Sequence, residues 1–254
     1  DATWFTSHWW GESVLAFIRC CERHAELRKL KPDEAGYWVC GYANRQHDLG
    51  ADLSIDPSES SFSKALMRAD GAVLILDERA TAFSRIWCDF EMYTVIRTPG
   101  KMLDIATIDA GEAYVLSTSG LPSETTVQKI EREALFPLEL MWVGLTVELE
   151  KGMSSMDIDK VRILNSMVSN HRDLDSRDIL EKVEGGKTVA ALHIANAALR
   201  STIAMAMWVQ VMQRYGAPKL APVDGRPGLD LQQIVKKDAA RRHFKLAFDG
   251  QDLN

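Results

Sequence analysis

The chain has 254 residues, 46% of them hydrophobic and 26% charged, ordinary globular values that exclude a wholly disordered chain. A net charge of −6 and a pI near 5.6 argue against nucleic-acid binding, which wants a basic face. Four cysteines without a C-x-x-C spacing argue against a disulfide framework and point to an intracellular, reducing compartment.

In chain order, the sequence opens at Asp1 rather than Met, which leaves a removed leader, and with it organellar targeting, open. Ala2–Ser7 (ATWFTS) is short and β-prone and runs into a Trp-rich turn ending at Gly11. Ser13 to Lys29 is a predicted helix, with Val14, Phe17, Ile18 and Cys21 at helical spacing. Cys21 and His24 share a face of it, but two ligands do not make a zinc site, and no metal is expected. Lys31-Pro32-Asp33 ends the helix. Tyr37–Tyr42 (YWVCGY) is a second strand, and the polar stretch from Ala43 to Ser61 is a long loop. Phe62 to Ala69 is a short helix. Gly71–Asp77 (GAVLILD) is a continuous apolar run, the pattern of a central parallel strand covered on both faces. Ser84 to Arg97 is a helix stopped by Pro99-Gly100, and Met102–Ile108 and Ala113–Ser117 are two weaker strands.

This alternation implies βαβ units, a mostly parallel sheet of about five strands and helices on both faces. From Pro122 the texture changes to consecutive helices: Ser123 to Leu135, Leu138 to Lys151, Met156 to Val168 and Thr188 to Tyr215. The stretch from Thr188 to Met212 is long enough to span a bilayer. It carries His193, Asn196, Arg200 and Gln210, each costly in lipid, so a buried helix is predicted and no transmembrane segment. Pro218, Pro222, Gly225, Pro227 and Gly228 form a linker. The segment 229–248 is basic and amphipathic and too short for a stable isolated helix; it is expected to dock onto another chain or an acidic surface, or else to fold back on its own acidic body. The expected organisation is an α/β domain over 1–120, a helical extension over 121–216 packed on it, and a linker with tail over 217–254.

Three pieces carry a family likeness. TWFTSHWWG is a strand ending in a Ser and a polar loop, SFSKALMRADGAVLILD is a short helix feeding an apolar strand, and SRIWCDFEM holds the pattern W-C-x-x-E. Together they resemble the TIR (Toll/interleukin-1 receptor-like) domain over roughly Ala2 to Ile108. The whole chain, with FPLELMWVGL and NAALRSTIAMAMW, is similar to a set of TIR-like proteins of dinoflagellate algae. Where TIR domains usually carry an acidic, Arg-containing loop with a Pro-Gly tip, this sequence has ANRQHDLG, with Arg45 and Asp48 but no Pro-Gly. The helical half has no counterpart in a minimal TIR domain.

The resemblance implies a flavodoxin-like sheet of order 2-1-3-4-5. It implies a module that assembles with itself or with protein partners and that can bind a nucleotide. Alternatively it implies an NAD+ glycohydrolase, with NAD as substrate and no cofactor required. Glu91 then matches the family's catalytic Glu and Trp87 its stacking Trp. A third reading is a non-catalytic accessory subunit of a large algal, organellar complex.

The chemistry of the enzymatic reading is coherent. Nicotinamide leaves as a neutral ring without a general acid, so one carboxylate suffices to stabilise an oxocarbenium-like ribose. Trp87 and Glu91 are four apart and share a helix face, where Glu91 lies between Val95 and Cys88 on an apolar strip that can raise its pKa. In doubly wound folds ligands sit beyond the carboxyl ends of the strands, which places Ser7, His8, Trp9, Trp10 and Gly11 there. Gly11 opens a helix whose N-terminus can receive a phosphate, and Trp9 or Trp10 can stack on adenine. Against this stand plainer roles: Glu91 solvated or paired with Arg45 or Arg79, Trp87 as core, His8 as a hydrogen-bonded structural residue, and both Trp packed on the helical half. A Ser-His-Asp hydrolase is a poor fit, because no G-x-S-x-G occurs.

Overall fold

Gly71–Leu76 is buried at every position, as an apolar run covered on both faces must be. It is the middle strand of a sheet in the computed structural model of the chain, which describes residues 3–33, 35–44, 54–169 and 171–215. The strands are β1 (Trp4–His8), β2 (Tyr37–Val39), β3 (Gly71–Leu76), β4 (Met102–Asp109) and β5 (Glu112–Ser117), in the order β2-β1-β3-β4-β5. The first four run parallel, with Trp4 beside Tyr37 and Gly71, and Gly71 beside Met102. The sheet is therefore mostly parallel with helices around it, as expected.

Two details depart from expectation. β5 is antiparallel to β4, with Asp104 opposite Ser117 and Asp109 opposite Glu112. Only Ala110 and Gly111 link the two strands, whereas a parallel return needs a dozen residues or more. Both linkers sit at positive φ, 52° and 84°, as a two-residue hairpin turn matched to strand twist requires. The second strand also stops at Val39 instead of Tyr42, and Cys40–Ala43 forms one helical turn, α2.

Helix α1 (Val14–Arg28) covers one face, packing Phe17 and Cys20 on Val73, Ile75, Ala106 and Val115. Ser13 caps it, its hydroxyl accepting from Ala16 N–H. At its far end Arg28 forks onto Asp104 at 2.7 and 2.6 Å, and His24 Nε2 meets the same carboxylate at 2.9 Å. His24 Nδ1 meets the Tyr37 hydroxyl at 2.7 Å. This buried cluster ties α1 to β4 and accounts for His24.

Helices α3 (Ser61–Arg68) and α4 (Ile86–Arg97) cover the other face. Leu66 and Val95 pack on Phe5, Ala72 and Leu103. Beyond the sheet follow α5 (Thr126–Glu133), α6 (Leu138–Leu145), α7 (Asp157–Met167), α8 (Asp178–Glu184) and α9 (Ala190–Tyr215). The helix expected to run to Lys151 ends at Leu145, and Leu149–Lys151 is a separate 3-10 turn. Phe136, Leu138, Met141, Leu149, Ile163, Leu199 and Ile203 share one cluster with Leu74, Ile105 and Leu116 of the sheet. The backbone joins the two regions as well: Ile86 N–H donates to Met153 O at 3.0 Å and Met153 N–H to Ser84 O at 2.8 Å.

No helix among the described residues is long and apolar enough to cross a membrane. The segment 217–254, including the expected docking tail, lies outside the described residues. So do Arg45 and Asp48 of the departing loop.

Candidate functional site

Side chains alternate along β1. Phe5 faces α3 and α4, and so does Ser7, whose hydroxyl donates to Glu91 Oε2 at 2.6 Å. Glu91 is thus fastened to the carboxyl end of the first strand, and it is 6% exposed. Burial pushes its carboxyl up to about 8, and the Ser7 hydrogen bond only partly opposes that. Of the two arginines named for an ion pair with Glu91, Arg79 is exposed beside Glu78 and Arg45 lies outside the described residues.

Glu91 lines a cavity of about 420 Å³ together with His8, Trp9, Trp10 and Trp87. Trp87 is oriented from two sides. Its ring stacks on Phe62 with centroids 5.5 Å apart, and its indole N–H donates to Asp159 Oδ2 on α7 at 3.2 Å. Phe62 stands in turn edge-on to Trp38. Arg85 closes the rim, reaching Ser155 Oγ at 3.2 Å, and is the one guanidinium among the described lining residues. Ser155 and Asp159 come from the helical half, so both halves of the chain build the wall.

Gly11 lies elsewhere. It lines a neighbouring hollow of about 340 Å³ with Glu12, Asp77 and Glu78. Trp9 lies across it: a Cβ added at Gly11 would stand 2.2 Å from the Trp9 ring, so the ring would have to shift. α1 begins three residues later, beyond Glu12. Of the residues singled out in the sequence, the fold therefore brings His8, Trp9, Trp10, Trp87 and Glu91 around one cavity. Ser7 sits behind Glu91, and Gly11 stands outside.

The loop after β1 carries a further arrangement. His8 Nδ1 meets Glu12 Oε1 at 2.9 Å, and His8 Nε2 lies 3.8 Å from Cys40 Sγ. The exposed Trp10 donates its indole N–H to the same sulfur at 2.8 Å. Cys88 Sγ–H donates to the His8 carbonyl at 3.6 Å. Cys40, Arg85 and Asp159 line the cavity without having been singled out in the sequence. Cys40 was placed inside a strand, where nothing marks it as a site residue. Asp159 is far from Trp87 in sequence, and only the packing of α7 reveals it. Among the described residues no group of three or more His, Cys, Asp or Glu is disposed to hold a metal ion. Compared with family models, with curated proteins and with solved structures, the chain matches none.

Proposed function

We propose that the chain binds a dinucleotide of the NAD class in this cavity and cleaves the bond between nicotinamide and ribose, with Glu91 as the catalytic carboxylate. One observation carries the reading: a buried carboxylate, held by Ser7, lines an open cavity to which Trp9, Trp10, Phe62 and Trp87 also contribute. Flat aromatic walls suit a flat, cationic ring. The C–N bond breaks with its electron pair going to the ring, so nicotinamide leaves neutral. Glu91 stabilises the positive ribose and takes the proton of the water that adds to it. Arg85 at the rim supplies positive charge suited to a pyrophosphate. The W-C-x-x-E likeness to TIR domains supports the same assignment.

The raised carboxyl sets the pH dependence. Glu91 must be ionised to act, so kcat/KM climbs as pH rises through about 8. The test is release of free nicotinamide from NAD by the pure chain, followed by chromatography. Glu91→Gln should lower the rate by about a thousandfold, the scale of losing a major electrostatic stabiliser. A wild-type chain that releases none, or a Glu91→Gln variant that matches it, overturns the proposal.

A second reading, assembly of copies of the chain, is favoured by a different observation. Val14, Leu15 and Ile18 are exposed on one side of α1, next to the exposed Trp10.

A further inference from the structure

Cys40 and His8 line the cavity and are unused by the chemistry above, and the Glu12 carboxylate meets the imidazole at its other nitrogen. We propose that Cys40, His8 and Glu12 form a nucleophile, base and orienter relay that accepts an acyl group from an activated ester or thioester. The inference does not depend on Glu91 or on nucleotide cleavage.

Three features carry it. The first is connectivity. Glu12 Oε1 stands 2.9 Å from His8 Nδ1, and a carboxylate there holds the proton on Nδ1. Nε2 is left as an acceptor facing Cys40 Sγ at 3.8 Å. Nucleophile, base and orienter then stand in the sequence of contacts that covalent catalysis uses.

The second feature is exclusion of water: the side chains of His8 and Glu12 are only 12% and 4% exposed. The imidazole is braced as well, tilted against the Phe17 ring with centroids 4.7 Å apart. The third is a donor set at the sulfur. Trp10 Nε1–H lies 2.8 Å from Sγ, and the Gly41 N–H is also directed at it. Donors at the sulfur stabilise the negative charge that grows on it as His8 takes its proton.

The thiol rests protonated, because burial and the neighbouring Glu91 push it up to about 12. The relay therefore works by general base catalysis and not through a preformed thiolate. His8 Nε2 takes the Sγ proton as sulfur bonds to the carbonyl carbon. The bond from that carbon to the leaving oxygen or sulfur breaks, and His8 gives the proton to the leaving group. Water then attacks the thioester, His8 takes its proton, the S–C bond breaks, and Cys40 recovers S–H. The sum is one acyl ester or thioester plus one water, giving one carboxylic acid and one alcohol or thiol.

The test uses the full chain and 4-nitrophenyl acetate, without nucleotide, with peptide mass spectrometry reading each cysteine. Burial alone predicts that half-buried Cys21 reacts before Cys40, which is 5% exposed. The relay reverses that order: Cys40 should acylate at least about tenfold faster than Cys21. His8→Asn should slow Cys40 by about a hundredfold or more, the usual worth of a general base, and leave Cys21 within a factor of about two. Glu12→Gln should slow Cys40 by about tenfold. A wild-type pH profile serves if a variant does not fold. The groups facing the pair are Glu12 on the β1 loop and Glu91 and Cys88 on α4. With His8 as base, the Cys40 rate does not climb tenfold per pH unit between roughly pH 8 and 10, as it would if it followed the thiolate fraction of a thiol held near 12. A rate that climbs tenfold per pH unit across that range, a Cys21 that reacts as fast as Cys40, or a folded His8→Asn that acylates at the wild-type rate each overturns the proposal.

Discussion

Two carboxylates stand two residues apart on α4, and both are held above the ordinary carboxylate range by burial. They differ in what they face. Glu91 has the Ser7 hydroxyl and a cavity. Asp89 is fully buried, its oxygens have no hydrogen-bond partner among the described residues, and it packs where a Cβ on Gly152 would reach it. Each lowers stability when it ionises. For Glu91 the unfolded chain loses its proton near 4.5 and the folded chain near 8. Between those values the folded state holds a proton that the unfolded state has released. Its contribution is thus fully present below about 4.5 and is lost as pH rises towards about 8. Glu91→Gln removes the loss. Its Tm should match wild type at pH 4 and exceed it by several degrees at pH 8.5, in thermal melts of the two proteins. A gap independent of pH would show that Glu91 ionises in the folded state at its ordinary value. Trp87 and Glu91 were legible in the sequence because they share a short pattern on one helix. The meeting of Cys40 with His8 was not. It depends on which strand lies beside β1 and on where β2 turns into helix, and no local spacing encodes either.

At the level of the element, the β4–β5 hairpin shows how a loop length decides direction. Both strands were legible in the sequence, though weakly, yet their relative direction follows from two residues alone. Gly111 stands at φ 84° with nothing near the place of a Cβ, so Gly111→Ala meets only the backbone cost of the left-handed region, about 1–2 kcal/mol. Ala110 already bears that cost at φ 52°, and Ala110→Gly should recover part of it. Urea titrations of the pair should move the midpoint in opposite directions; shifts of the same sign would contradict the turn. The outer edge of β5 is closed by α5. Lys129 donates to Ser117 O and Arg132 to Val115 O, and Ser117 N–H donates to Glu133 at 2.8 Å. Charged side chains on an edge are a means of preventing strand addition. Helix α5 was predicted from its pattern, but its grip on the edge was not, because Lys, Arg and Glu on a short amphipathic helix read equally well as a solvated face.

For the whole molecule, the closed β5 edge directs any pairing of copies away from sheet extension on that side and towards helix surfaces. Val14, Leu15 and Ile18 supply such a surface. If copies associate there, Leu15→Glu should shift the chain to monomer in sedimentation velocity and leave its melting temperature within about a degree, since the side chain is exposed. An unchanged distribution would remove α1 as the contact. The shared core has a further consequence, for biosynthesis. The last strand is complete at Ser117, but the residues that cover Leu74, Ile105 and Leu116 extend to Met207. A ribosome needs on the order of ten seconds to make that remainder. Throughout that interval the sheet carries α1, α3 and α4, but the cluster that the sheet and α4 share with the later helices stays open, and its apolar residues are fully enclosed only when α9 arrives.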